Sequence, residues 1–241
     1  MSVKTVNTSP GSAKETKKSV QIISTLIAAT FITVACIQGY RNIGWPVVVI
    51  VGGSGVIGFV MWYRTYLKYP VDPKIILPLF LITVAALEIH MCEEYLTGFG
   101  PAMSRLFDIS WSEKTFLIIF TFIGPVVYTL TALGLFYRIP IAGFITWFIF
   151  IGPGVAEFTH FIFPALRPDI LPDVTATISQ HVANGTFISN MQNYYFGTTG
   201  RYYFPGMYTA VLPMIPGIYS IVKLIKQNGL EKQRRLSNLN T

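Results

Sequence analysis

Polar residues in this chain are gathered into short joints between long apolar stretches. Six stretches stand out: Ser19 to Gln38, Trp45 to Tyr63, Lys74 to Leu96, Thr115 to Tyr137, Ile141 to Ala165 and Gly206 to Lys226. Each approaches the roughly 20 residues that a helix needs to cross a hydrocarbon core of about 30 Å. The pattern predicts an all-α polytopic transmembrane bundle of about six spans, occupying residues 19–226 between basic tails at 1–18 and 227–241. The first tail does not lead into a short apolar core followed by a cleavage site, so the first span is expected to be a permanent anchor. Proline and glycine interrupt several spans, as in "FIGPVV", "FIGPGVAEF" and "FPGMYTAVLPMIPG". Such breaks free backbone groups that a neighbouring helix or a wet cavity must satisfy. They are also frequent as ordinary kinks in membrane helices. One connection, about 166–204, is far longer than the others, and its "NYYFGTTGRYYF" is too aromatic for plain disorder. It is expected to lie in the interface or to fold back over the mouth of the bundle.

Composition supports the membrane reading: 52% of the residues are hydrophobic and 12% charged, with a mean hydropathy of +0.52. The charge then sets topology. With the N-terminus inside, Lys4, Lys14, Lys17, Lys18, Arg64, Lys68, Lys74, Arg138, Lys223, Lys226, Lys232, Arg234 and Arg235 lie on the inner side. Arg41, Arg105, Lys114, Arg167 and Arg201 lie outside. Thirteen against five, out of 18 basic residues, favours both termini in the cytoplasm. The net charge of +7 is thereby explained without nucleic acid, although the C-terminal tail suits anionic headgroups. The implied location is a multi-pass protein of the plasma membrane or endoplasmic reticulum, according to host. Asn184-Gly185-Thr186 forms a glycosylation sequon in the long outer connection. Cys36 and Cys92 each lie within an apolar span and read as buried free thiols. No internal repeat is evident, which weakens an inverted-repeat carrier.

Against this background the third span ends in an unusual run, His90-Met91-Cys92-Glu93-Glu94. On a helix turning about 100° per residue, His90, Glu93, Glu94 and Thr97 share one face, while Glu88 and Cys92 point elsewhere. Glu88 is therefore read as a packing or interface residue. In the fifth span Glu157 and His160 have the Glu-x-x-His spacing with which carboxylate bundles aim two ligands inward. Both clusters sit toward the ends of spans that run in the same direction, so similar depth is expected. A charged residue at the centre of a spanning helix costs about 2.5 to 3.5 kcal/mol on the insertion scale. Protonation, ion pairing or a bound cation must offset it. The competing reading is that His90, Glu93 and Glu94 leave the hydrocarbon and meet water, and that His160 is a core histidine satisfied by a backbone carbonyl. His181 lies in the long connection and reads most simply as an exposed loop residue. The segment Tyr203 to Thr209, "YFPGMYT", returns to the same side.

These motifs resemble the HXXEE family of integral membrane proteins over roughly the last two thirds of the chain. His90, Glu93 and Glu94 match its name-giving motif, His160 its second membrane histidine, and Tyr203, Pro205, Gly206 and Thr209 its Tyr-x-Pro-Gly-x-x-Thr motif. Many relatives have Asn where this chain has Ala156, which is followed here by Glu157. The resemblance implies a site but no settled reaction.

Three functions are compatible with these residues. The first is a membrane-embedded enzyme working on a lipid-like or isoprenoid substrate, an isomerase or cyclase in which His90 and Glu94 relay a proton while Glu93 and Glu157 act as acid or stabilise a cation. A sterol isomerase of the emopamil-binding type is similar in one motif, a His and a Glu four apart in a membrane helix. The second is a metal-dependent enzyme with zinc, iron or manganese among His90, Glu93, Glu94, Glu157 and His160. The third is a proton- or cation-coupled transporter. It ranks below an enzyme, because the inner halves of the spans are nearly devoid of ionisable residues. Thr97, Tyr203, Pro205, Gly206 and Thr209 are assigned to the substrate pocket or to structural support. Membrane lipids are the expected surroundings, and oligomeric state is left open.

Overall fold

The computed structural model describes residues 15–107, 111, 113–166, 182–183, 186–187 and 202–239. Arg167, His181, Asn184 and Arg201 lie outside these described residues.

Helix α1 covers Lys18–Asn42. The next span starts as α2, Trp45–Val47, widens into a π-helical stretch over Val48–Gly52 and continues as α3, Gly53–Thr65. Helix α4, Pro73–Thr97, begins at Asp72, whose carboxylate accepts the Lys74 N–H at 2.9 Å, with Pro73 at the first position. Both are start signals that satisfy or remove an otherwise orphaned backbone donor. Helix α5, Phe99–Phe107, follows directly. The fourth span opens as α6, Glu113–Phe116, passes through a second π-helical stretch at Leu117–Ile123 and ends as α7, Gly124–Phe136. Helix α8 runs from Pro140 to Val155, tightens into a 3₁₀ segment over Ala156–Phe161 and is followed by α9, Phe163–Leu166. Two short strands, β1 (Val182–Ala183) and β2 (Thr186–Phe187), pair antiparallel. Helix α10 spans Val211–Leu239.

Among the described residues, five helical segments are long and apolar enough to cross a membrane: Lys18–Asn42, Trp45–Thr65, Pro73–Thr97, Lys114–Phe136 and Pro140–Phe161. They match the first five expected spans. The sixth differs. Residues 205–210 form a turn, so the helix starts at Val211 and not at Gly206. Its apolar stretch is then cut short by Lys223 and Lys226. The expected C-terminal tail continues the same helix to Leu239.

Helix α8 occupies the centre and packs against α1, α3, α4, α7 and α10. Its position follows from what it can bury: Phe144, Trp147 and Phe150 are fully enclosed, together with Trp62, Ile76 and Phe80 from α3 and α4. Small residues allow close approach to two neighbours. A Cβ on Gly58 of α3 would lie 3.0 Å from the Phe148 backbone, and Gly154 of α8 abuts Gly217 of α10 backbone to backbone. Trp62 donates its indole N–H to the Pro140 carbonyl at 2.8 Å, joining α3 to the start of α8. Outward faces carry Ile22, Leu26, Ile57, Phe122, Leu130 and Ile215, all exposed. Helices apolar all round are suited to lipid and unsuited to water.

Candidate functional site

The end of α4 and the 3₁₀ segment after α8 meet beneath the turn that leads into α10. His90 is fully buried, and Glu94 and His160 are 3% and 1% exposed, so these three side chains face protein, whereas Glu93 is partly exposed. The two imidazole rings lie 4.9 Å apart, nearly perpendicular.

The 3₁₀ geometry aligns the fifth-span pair. Residues three apart eclipse when there are three residues per turn, whereas an α-helix offsets them by about 60°. Glu157 and His160 thus point the same way, with Glu157 Oε2 at 3.0 Å from His160 Nε2. Glu94 Oε1 lies 3.1 Å from the same nitrogen. His90 Nε2 faces the same two oxygens, Glu157 Oε2 at 3.2 Å and Glu94 Oε1 at 3.5 Å. Four side chains therefore converge, offering ligand atoms that all lie within 4.8 Å of one another. Two imidazoles and two carboxylates are a donor set suited to a divalent transition metal.

Glu93 sits beside this cluster but has a different task. Its Oε1 accepts the Tyr203 hydroxyl at 3.1 Å and the Tyr208 N–H at 3.3 Å. Its Oε2 accepts the Thr209 N–H at 2.7 Å and the Thr209 hydroxyl at 2.6 Å. Burial pushes the Tyr203 hydroxyl up to about 12, so it stays protonated and keeps donating. Glu93 is thus a clasp that holds the Tyr203–Thr209 segment down. Thr97 donates to the Glu93 carbonyl at 2.6 Å, within its own helix.

The clasped segment closes one side of the cluster. The Pro205 carbonyl lies 2.7 Å from His160 Nδ1, and Thr209 Oγ1 lies 3.0 Å from His90 Nδ1. The carbonyl partner expected for a satisfied core histidine is present, yet the other nitrogen of His160 still faces two carboxylates. Gly206 lies between the rings at φ +86°, and a Cβ there would come within 2.9 Å of both imidazoles and of Glu94.

On the opposite side is an apolar chamber of about 190 Å³. Glu94, Glu157 and His160 form its polar end. Its walls include Ile50 and Val51 from the π-helical part of the second span, Phe120 from that of the fourth, and Phe148 and Gly152 from α8. The second and fourth spans both line the chamber without packing extensively on each other, and Ile50, Val51, Phe120 and Phe148 are only partly buried. Part of the chamber wall from the second and fourth spans is therefore also partly exposed. Sequence reasoning did not find these wall residues. Their only signal was the Gly and Pro near each π-helical stretch, "GWP" and "IGP". Glu88 lies away from the cluster, as expected, and one of its oxygens is buried without a hydrogen-bond partner.

No family model, no curated protein and no solved structure matches this chain. The fold places Thr209 against His90, Pro205 against His160, and Gly206 against both rings.

Proposed function

We propose that the protein is a six-span membrane enzyme of the HXXEE type that acts on the polar end of a lipid-like or isoprenoid amphiphile. The observation that carries this reading is the join between an apolar chamber and a buried His/Glu cluster. An apolar body suits the chamber, because its apolar walls replace the contacts with acyl chains that the body leaves behind on entering from the bilayer. Its oxygen-bearing end would meet Glu94, Glu157 and His160, the only charged or imidazole groups in the wall. Entry from the bilayer would pass between the second and fourth spans, whose chamber-lining Ile50, Val51 and Phe120 are partly exposed. With α10 counted as the sixth span and the basic residues inside, the cluster lies on the outer or lumenal side.

A carrier is disfavoured by the same layout. Among the described residues, the chamber's charged and imidazole groups, Glu94, Glu157 and His160, converge in one cluster, and the centre of the bundle is a packed aromatic core that includes Trp62, Phe144, Trp147 and Phe150.

The test is a comparison of total lipid extracts from cells expressing the wild type, Glu157→Gln and Phe148→Trp. The wild type is expected to deplete one amphiphile and accumulate a product. Glu157→Gln keeps the chamber but loses turnover, and Phe148→Trp fills the chamber and loses both turnover and co-purified lipid. Identical lipid profiles in all three would overturn the enzyme reading.

A further inference from the structure

We infer that His90, Glu94, Glu157 and His160 form a mononuclear divalent-metal centre, with both imidazoles binding through Nε2. This names the chemistry of the reactive centre proposed above and rests on that reading, but its test reads metal separately from lipid turnover.

The argument starts with the hydrogens. A carbonyl only accepts, so His160 Nδ1, 2.7 Å from the Pro205 oxygen, carries a proton. The Thr209 hydroxyl spends its own hydrogen on Glu93 Oε2. Toward His90 Nδ1 at 3.0 Å it can only accept, and that nitrogen is protonated too. Both tautomers are thereby assigned from their partners. Each neutral ring then presents an Nε2 lone pair, and each lone pair faces two carboxylate oxygens.

Lone pairs aimed at carboxylates repel unless something positive lies between them. Protons on the two Nε2 atoms would supply it, but a single N–H aligns with one acceptor. His160 Nε2 is almost equidistant from two, at 3.0 and 3.1 Å. One cation at the centre answers all four atoms at once. Metal–ligand bonds of about 2.0 to 2.1 Å separate neighbouring ligand atoms by about 3.3 Å; the four nitrogen–oxygen separations run from 3.0 to 3.5 Å and all four atoms lie within 4.8 Å of one another, so one ion can reach the whole set with small side-chain rotations.

Charge and surroundings agree. Two carboxylates and one divalent ion are neutral together, which suits a site enclosed by protein and apolar side chains. Donation of Nδ1–H to a carbonyl, and to a Thr–Glu pair, is the outer support that fixes metal-bound histidines. Three of the four ligands border the chamber, which leaves that side open to a substrate oxygen or to water. A metal held there would polarise such an oxygen or activate a water molecule.

The experiment is elemental analysis of the full-length protein purified in mild detergent without chelator, from cells supplied with zinc, iron and manganese. Cobalt(II) titration of the chelator-treated protein follows, read by visible absorption. About one metal ion per chain and a visible cobalt d–d spectrum of four- or five-coordinate type are expected. Glu94→Gln and Glu157→Gln should lose the metal while keeping helical circular dichroism and a monodisperse profile. Thr209→Val should weaken binding by about 10- to 100-fold, the range for loss of outer support, and Thr209→Ser should restore it. Lack of stoichiometric metal in the wild type under every supply, with no cobalt spectrum, would overturn the proposal and leave the two Nε2 atoms protonated. Undiminished metal in Glu94→Gln and Glu157→Gln would overturn the ligand set. Lipid turnover without metal would sink this inference and spare the enzyme reading, whereas metal without turnover does the reverse.

Discussion

Gly206 is the residue on which the closed side of the site depends. Its φ of +86° is reached at little cost only by glycine, and its missing Cβ leaves room for both imidazoles. Gly206→Ala should lose about 1 to 2 kcal/mol from backbone strain alone. It should also push the Pro205 carbonyl off His160. A detergent melt should shift modestly while metal content and lipid turnover fall steeply; a wild-type site with an unchanged melt would contradict the contact. At this scale much was legible in the sequence. His90, Glu94, Glu157 and His160 stood out because ionisable side chains in apolar runs demand partners. The division of labour between Glu93 and Glu94 was not legible. Adjacent residues on a helix differ by about 100°, and only the path of the Tyr203–Thr209 segment decides which carboxylate it captures.

At the scale of elements, the tightening of α8 into a 3₁₀ segment makes Glu157 and His160 into a pair. Pro153 lies three residues before the change and cannot donate to the Ile149 carbonyl, which weakens the ladder just upstream of it. Pro153→Ala should let the α-helix run on and turn Glu157 away from His160 by about 60°. The expected outcome is a melting temperature equal to or above that of the wild type, with loss of metal and turnover. A variant that kept full metal would show that Pro153 does not set the turn. Sequence spacing revealed the pair but treated it as α-helical, since propensity does not report where a helix narrows. The π-helical stretches in the second and fourth spans were equally hidden. Long runs such as "VVIVG" and "LIIFTFI" satisfy any helical period.

For the whole molecule, the placement of α8 at the centre was not readable from hydropathy, because the five clear spans are all strongly apolar. What separates α8 is packing, with half of its span buried against 11% for α1. The number of crossings decides the geometry of the termini: six spans put them on one side, five on opposite sides. Epitope tags at both ends should be protected in intact cells and become accessible together after permeabilisation. One exposed tag would remove α10 from the membrane.

The clasp between Glu93 and the Tyr203–Thr209 segment also has a consequence for biosynthesis. Glu94, Glu157 and both histidines leave the ribosome well before Tyr203, yet Pro205 and Thr209 settle the orientation of both rings. During synthesis the four side chains lack their orienting partners until the Tyr203–Thr209 segment is in place. A chain truncated before Tyr203 would keep His90, Glu94, Glu157 and His160 but lack the backbone and hydroxyl partners that orient the two rings.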